Sequence, residues 1–269
     1  MAKRVVFLFL IALLIRTLYA LFFVELEYLS LEDQALYIQL AQQIPEVGFL
    51  GIASERVPGY PLFISSIYSL FGESVYNIIL IQILLDSISC VMIALIAYSI
   101  FSKGFWIAGI LSAVNLNMIV LSALVLTDTL FLFLFILFLF SLLQYLEHKR
   151  TKWFFLLVLF ISLATLVRPS SYYLLPILLI SLVSWRLWCR DTVLKIGMLV
   201  ALYLVVVSVL LGGIHQRNFQ QYGSTAFVSQ AGPHLLGWVI PATYQYSGQG
   251  SYQQGQKLAR DKLNSALQR

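Results

Sequence analysis

Charge is scarce in this chain of 269 residues: Asp, Glu, Lys and Arg make up only 11% of it, against 60% hydrophobic residues. An ordinary soluble domain carries about 25% charged residues, so a water-soluble fold is excluded. Cysteine is nearly absent as well. Its two copies, Cys90 inside one apolar run and Cys189 near the end of another, make no disulfide framework. Segments of roughly 10 residues with alternating polarity are missing, which excludes a transmembrane β-barrel. No internal repeat is visible, and the two halves do not mirror each other.

What the chain does have is a series of apolar runs near 5–24, 76–101, 104–124, 128–146, 153–167, 172–188 and 192–213. A helix of roughly 20 residues crosses about 30 Å of hydrocarbon, so the fold class is an all-α polytopic membrane protein of about seven helices. Residues 1–213 form the expected membrane module, with a first outer loop at 25–75, and 214–269 form a polar C-terminal segment. The basic start and apolar middle of the first run resemble a signal peptide, but Arg16 interrupts it and it continues to Val24, so an uncleaved first span is expected.

The net charge of +5 follows topology and does not point to nucleic acid. With the N-terminus inside, one set of span ends collects Lys3, Arg4, Lys103, Lys149, Arg150, Lys152, Arg186, Arg190 and Lys195, opposed only by Glu147 and Asp191. The other face holds Glu25, Glu27, Glu32, Asp33, Glu46, Glu55, Glu73 and Asp128 against Arg56, Arg168 and Arg217. The surplus of Lys and Arg marks the cytoplasmic side, so the first loop and everything after the seventh run are expected outside.

That loop is patterned. Ser30-Leu31-Glu32-Asp33 reads as a helix start, with Leu36, Leu40 and Ile44 at helical spacing before Pro45, as in a short amphipathic helix on the membrane surface. Pro58-Gly59-Tyr60-Pro61 opens a second short helix, Leu62 to Phe71. The fourth run starts almost directly after the third, at Thr127-Asp128, where irregular backbone must be buried in protein or line a wet cavity.

Asp33 reads either as an acid favouring the positive end of its own helix or as a general base at the bilayer surface. Asp128 reads either as a helix cap or as a group that positions a donor or helps hold a divalent cation. Two carboxylates are thin evidence for a metal, and no cofactor is assigned. Arg16 and Asp86 interrupt the first and second runs near mid-bilayer; a buried pair is the economical reading, acting as a structural clamp in preference to a proton relay. Asn115 and Asn117 read as helix–helix hydrogen bonders.

Four short motifs occur in order on the expected outer face. They are Asp33-x-x-x-Tyr37-x-x-x-Ala41 with Arg56-x-Pro58-Gly59-Tyr60-Pro61, then Leu126 to Phe131, then Leu163 to Pro169, then Gln216-Arg217-Asn218-Phe219 with Tyr222-Gly223. Together they resemble the GT-C fold glycosyltransferases that use polyprenyl-phosphate sugars, in their protein-mannosyltransferase-like and aminoarabinose-transferase-like branch. The resemblance spans about residues 5–240, with Asp33-Gln34 where the protein-mannosyltransferase form usually has Asp-Glu.

What this resemblance implies is inverting transfer of a sugar from a polyprenyl-phosphate or -pyrophosphate carrier to a lipid, glycan or protein acceptor on the extracytoplasmic face. Asp33 becomes the candidate catalytic base. Arg56, Tyr60, Asp128, Arg168 and Arg217 become candidate substrate-binding residues, because guanidinium groups suit the phosphate of such a donor. The expected partners are the lipid-linked donor, its acceptor and membrane lipids. Related enzymes continue into more spans, so a truncated member, a fragment or a minimal seven-span module is expected. Two rivals are a transporter or flippase of lipid-linked intermediates, and a non-catalytic scaffold. The first would favour ionisable groups at mid-bilayer on broken helices, often in repeated halves.

Overall fold

The computed structural model describes residues 1–24, 32–52, 56–229 and 231–267. The proposed Ser30 cap lies outside them. Helices account for almost all regular structure, and no strand occurs among the described residues. Two compact units are present. One comprises Met1–Ile52 with Val57–Arg217; the other begins at Asn218 and takes Arg56 with it.

In the first unit, α1 (Ala2–Phe23) is followed by α2 (Glu32–Val47) and α3 (Gly59–Phe71). Pro45 sits inside α2 and does not end it, so the helix runs two residues past the expected stop. Next come α4 (Val75–Ile100), α5 (Gly104–Ala113), α6 (Leu116–Ser122), α7 (Thr127–His148) and α8 (Thr151–Val167). A 3-10 turn at Pro169–Ser171 leads into α9 (Leu174–Trp188), and α10 (Val193–Tyr222) follows.

Five of these segments are long and apolar enough to cross a membrane: Ala2–Phe23, Val75–Ile100, Thr127–His148, Pro169–Trp188 and Val193–Tyr222. The expected third span is not continuous. It is the pair α5 and α6, bent by 52°. Asn115 causes the restart: its Oδ1 accepts from the Met118 amide at 3.1 Å, capping α6. Its role is therefore local capping and not the helix–helix bond expected from sequence. The expected fifth span, α8, is an apolar helix of 17 residues, about 25 Å at 1.5 Å per residue.

Burial runs opposite to that of a water-soluble protein. Arg16 and Gln82 are fully buried while Phe22 is 75% exposed, as expected where lipid is the solvent. Two apolar clusters hold the helices. One joins α2, α3, α4, α7 and α8 through Ala41, Tyr60, Ile64, Ile78, Leu130 and Ala164. The other joins α1, α4 and α5 through Leu8, Ala12, Cys90, Ala94 and Phe105.

Beside the second cluster, Arg16 and Asp86 form the buried ion pair expected from sequence. Arg16 Nη1 also donates to the carbonyls of Ala12 and Ala113, and Nη2 to the Ser112 carbonyl and Cys90 Sγ. Ser112 and Ala113 end α5, where helix carbonyls run short of amide partners, although the Ser112 carbonyl also accepts from the Asn115 amide at 3.3 Å. Arg16 therefore caps the break in the bent span, and Asp86 balances its charge.

The second unit contains α11 (Ala231–His234), a π-helical turn at Leu235–Val239, α12 (Ile240–Tyr246) and α13 (Tyr252–Leu267). In it, Tyr252 donates to the Gly237 carbonyl at 2.6 Å. A side chain at Gly255 would stand 2.8 Å from Tyr244 Cβ and 2.9 Å from Pro241 Cα, so glycine permits this close packing. Asn218 Nδ2 bonds the Ala226 and Phe227 carbonyls, closing the turn that carries Gly223 at φ +64°.

Candidate active site

The irregular stretch between α6 and α7 sets the site, because its backbone polar groups need partners away from water. Gln82 of α4, fully buried, donates Nε2 to the Ser122 and Leu124 carbonyls at 3.2 and 2.7 Å. Its Oε1 accepts from the Tyr60 hydroxyl at 2.5 Å. Gln34 of α2, also buried, accepts from the Val125 amide at 2.8 Å. Three helices thus brace one turn. Burial, then the nearby Tyr37 and Asp128, push the Tyr60 hydroxyl well above its usual pKa, so it stays a neutral donor.

Once braced, the chain enters α7 with Asp128 in the first turn, where the helix dipole favours a carboxylate. Asp128 Oδ1 accepts a charge-assisted hydrogen bond from Arg168 Nη1. Arg168 stands at the end of α8 in extended backbone (φ −144°, ψ 119°), the conformation its following Pro169 requires. Ser171 secures that turn, bonding the Arg168 carbonyl at 3.2 Å and the Thr165 hydroxyl at 3.0 Å.

The Arg-x-Pro-Gly-Tyr-Pro motif is tied to the same place. A Cβ on Gly59 would lie 2.5 Å from the Leu166 carbonyl oxygen and 2.9 Å from the Val167 nitrogen. Only glycine lets the start of α3 approach α8 this closely, two residues before Arg168. Its neighbour Tyr60 meets Tyr37 edge-on, with ring centroids 5.1 Å apart.

Asp128 and Arg168 border a cavity of about 300 Å³. Its other walls include Asn117, Met118 and Leu121 of α6, Phe131 and Leu132 of α7, and Asp86 of α4. An apolar chamber with an acid and a guanidinium at its edge suits a ligand that is part lipid and part anion. The pair's side chains are 29% and 44% exposed, so it adds about 1 kcal/mol or less to stability. Asn117 thus faces the cavity, in place of the helix–helix contact expected from sequence.

The other candidates are distributed more widely. Asp33 is exposed in the first turn of α2 and is not part of that cavity's lining. Through its neighbour Gln34, however, the same turn is bonded to Val125, three residues before Asp128. Arg56 is half-buried just ahead of α3 and belongs to the second unit. Arg217 is buried, with Nη1 donating to the Leu50 and Ile52 carbonyls at 3.1 and 3.0 Å. Among the described residues, no group of three or more His, Cys, Asp or Glu side chains converges as a metal site would need.

Sequence reading missed Gln34 and Gln82. The signal for Gln82 was present, since a polar residue inside an apolar run is as conspicuous as Asp86 four positions later. Gln34 stood out only as a departure from the Asp-Glu form, with nothing in the sequence to show that it would bond Val125.

Compared with protein-family models, residues 55–211 match the family described as dolichyl-phosphate-mannose-protein mannosyltransferase. The match covers more than half of the chain and takes in Gly59, Tyr60, Asp128 and Arg168. It begins after Asp33 and ends before Arg217, a narrower stretch than the motif resemblance. No curated protein and no solved structure matches the chain.

Proposed function

The chain belongs to the dolichyl-phosphate-mannose-protein mannosyltransferase family, which makes it a membrane glycosyltransferase of the GT-C type, and we propose that it transfers a sugar from a polyprenyl-phosphate or -pyrophosphate carrier to an acceptor hydroxyl on the extracytoplasmic face, with inversion. One observation carries this reading: the half-exposed Asp128–Arg168 pair at the edge of an apolar cavity between α6 and α7. A guanidinium has five N–H donors. Asp128 engages Nη1 and fixes the plane of the group, so the remaining donors can take phosphate oxygens, while the apolar wall accommodates the first prenyl units.

Asp33 acts as the base in this mechanism. Its carboxylate takes the proton of the acceptor hydroxyl as that oxygen bonds to the anomeric carbon. The bond from that carbon to the phosphate oxygen breaks on the opposite side, and the departing polyprenyl phosphate keeps the electron pair. Arg168 stabilises the charge that develops there. Support for Asp33 is the Gln34–Val125 bond, which ties the first turn of α2 to the approach to Asp128. Tyr60 serves by positioning Gln82 and hence the turn before Asp128. Arg217 serves by holding the end of the first loop. Outward orientation follows from the surplus of Lys and Arg on the opposite span ends.

The test supplies labelled lipid-linked sugars to membranes bearing wild type, Asp33→Asn or Arg168→Lys. Loss of a general base is expected to cost about 10²–10⁴ in transfer rate. Loss of the bidentate fork at Arg168 is expected to cost about 10²–10³, the range for removing a donor to a developing anion. Transfer at the wild-type rate by a folded variant removes that residue from its role.

A further inference from the structure

At the opposite ends of the helices lies a second cavity, of about 420 Å³. It has no part in the chemistry above. Lys149 after α7, Arg186 in the last turn of α9 and Lys195 in the first turn of α10 line it, and no carboxylate lines it among the described residues. Lys195, Met198, Leu199 and Leu202 form one stripe down α10, at spacings of three, four and seven. Seven residues span about 10 Å, so the wall is cationic at the helix ends and apolar further along.

Arg186 is the unusual member. It is 7% exposed, packed 5.9 Å from the Tyr145 ring and 6.0 Å from the Trp185 ring. Asp191 Oδ2 lies 2.7 Å from its Nε as an ion pair, yet buried Nε and Nη1 both lack a well-aligned hydrogen-bond partner among the described residues. Leaving a buried donor on a charged group unpaired costs stability. A basic residue that only fixes topology has no need to be buried, nor to leave a donor empty. Lys149 adds its ammonium 5.3 Å above the Trp185 ring.

We infer that this cavity binds the phosphate of an anionic phospholipid, with Arg186, Lys149 and Lys195 around the headgroup and the acyl chains along Met198, Leu199 and Leu202. Basic pockets between helix ends suit such headgroups. The apolar stripe favours a lipid over free phosphate, which would gain nothing from it. Exposed Trp188, Val193 and Leu194 continue the greasy surface beside the mouth.

The experiment uses the full chain in phosphatidylcholine nanodiscs with and without phosphatidylglycerol, and native mass spectrometry to read retained lipid. Wild type is expected to retain phosphatidylglycerol over phosphatidylcholine. Lys149→Gln and Lys195→Gln are both at exposed positions. Each is expected to weaken retention about fivefold, the attraction of one basic side chain for an anionic headgroup. Lys103→Gln, which removes the same charge elsewhere, should retain lipid as wild type does. The double variant Arg186→Gln/Asp191→Asn removes both charges of the pair and should lose selectivity while keeping the wild-type unfolding midpoint. Equal retention of the two lipids by wild type overturns the inference. So does an equal loss in Lys103→Gln, and so does displacement of the lipid by inorganic phosphate or glycerol phosphate.

Discussion

Replacing Asp86 by Ala is expected to unfold the membrane module locally before it affects anything else. The change leaves the Arg16 guanidinium fully buried without its counter-ion. Four acceptors remain, namely the carbonyls of Ala12, Ser112 and Ala113 and the Cys90 sulfur, so the group stays hydrogen-bonded but uncompensated in charge. Breaking a buried pair by removing one partner costs about 3–5 kcal/mol. For a chain of this size that corresponds to a fall of roughly 6–15 °C in the unfolding midpoint. Purified protein in mild detergent, followed by tryptophan fluorescence on heating, gives the number. Hydrogen exchange gives the place. Protection should be lost first around Ser112 to Met118, where Arg16 caps α5 and α6 restarts, and α7 should hold longer. Arg16→Met/Asp86→Leu removes both charges and should recover a large part of the midpoint. An Asp86→Ala protein that melts with the wild type, or a double variant worse than either single change, refutes the clamp.

The remaining tests concern the braced turn and the motif beside it. Gly59→Ala places a methyl 2.5 Å from the Leu166 carbonyl oxygen, an overpacking cost of about 1–3 kcal/mol, and it should reduce sugar transfer more than expression because Arg168 is displaced. Gln82→Leu strips donors from the Ser122 and Leu124 carbonyls and an acceptor from Tyr60. At about 1–3 kcal/mol for each group left unsatisfied, a loss of several kcal/mol is expected in the same melting assay. Tyr60 gives a pH signature. Its pKa is raised in the folded state, so the favourable contribution is complete below the unfolded tyrosine value of about 10 and declines as pH climbs from there toward the folded value. Wild type should therefore lose more midpoint above that pH than Tyr60→Phe does, and the two should run parallel below it.

Much of the architecture was legible because lipid imposes one strong rule. A run of roughly 20 apolar residues signals a spanning helix almost regardless of neighbours. The runs beginning at 76, 128 and 192 therefore became α4, α7 and α10 with ends shifted by only a residue or so at most boundaries. Hidden from that rule were the interruptions. The break at Val114-Asn115 involves residues apolar or neutral enough to pass as part of one span, and its stability depends on Arg16, 97 positions away from Ala113. Likewise Pro45 looked like a stop, yet a proline near the end of a surface helix removes one bond and the helix continues to Val47. The acid at Asp128 and the Arg-Pro turn at Arg168 were both visible as motifs. Their meeting was not, because it depends on the side chains of Gln34, Gln82 and Tyr60 and on the missing side chain of Gly59.

Two of the three Arg–Asp pairs among the described residues, Arg16–Asp86 and Arg168–Asp128, are built from the same chemical groups, and their surroundings differ sharply. Around Arg16 the protein supplies an acceptor for every terminal nitrogen, and both partners are out of reach of solvent. No nitrogen of Arg16 is left over for a ligand, although Asp86 also borders the cavity, and the desolvation already incurred makes exchange of partners expensive. Around Arg168, among the described residues, a single hydrogen bond to Asp128 is made, and 44% of the side chain is accessible. The ion pair there is too weak to matter for folding, so its persistence in a fixed turn after Val167, braced by Ser171 and approached by Gly59, needs another cause. On the function proposed above, a site that takes up a phosphate and releases it would supply one. The arginine has to be oriented before the donor arrives, yet its remaining donors have to stay uncommitted until then. An aspartate that engages a single nitrogen at the edge of an apolar chamber satisfies both conditions, whereas a fully saturated arginine such as Arg16 is oriented but has no donor to spare.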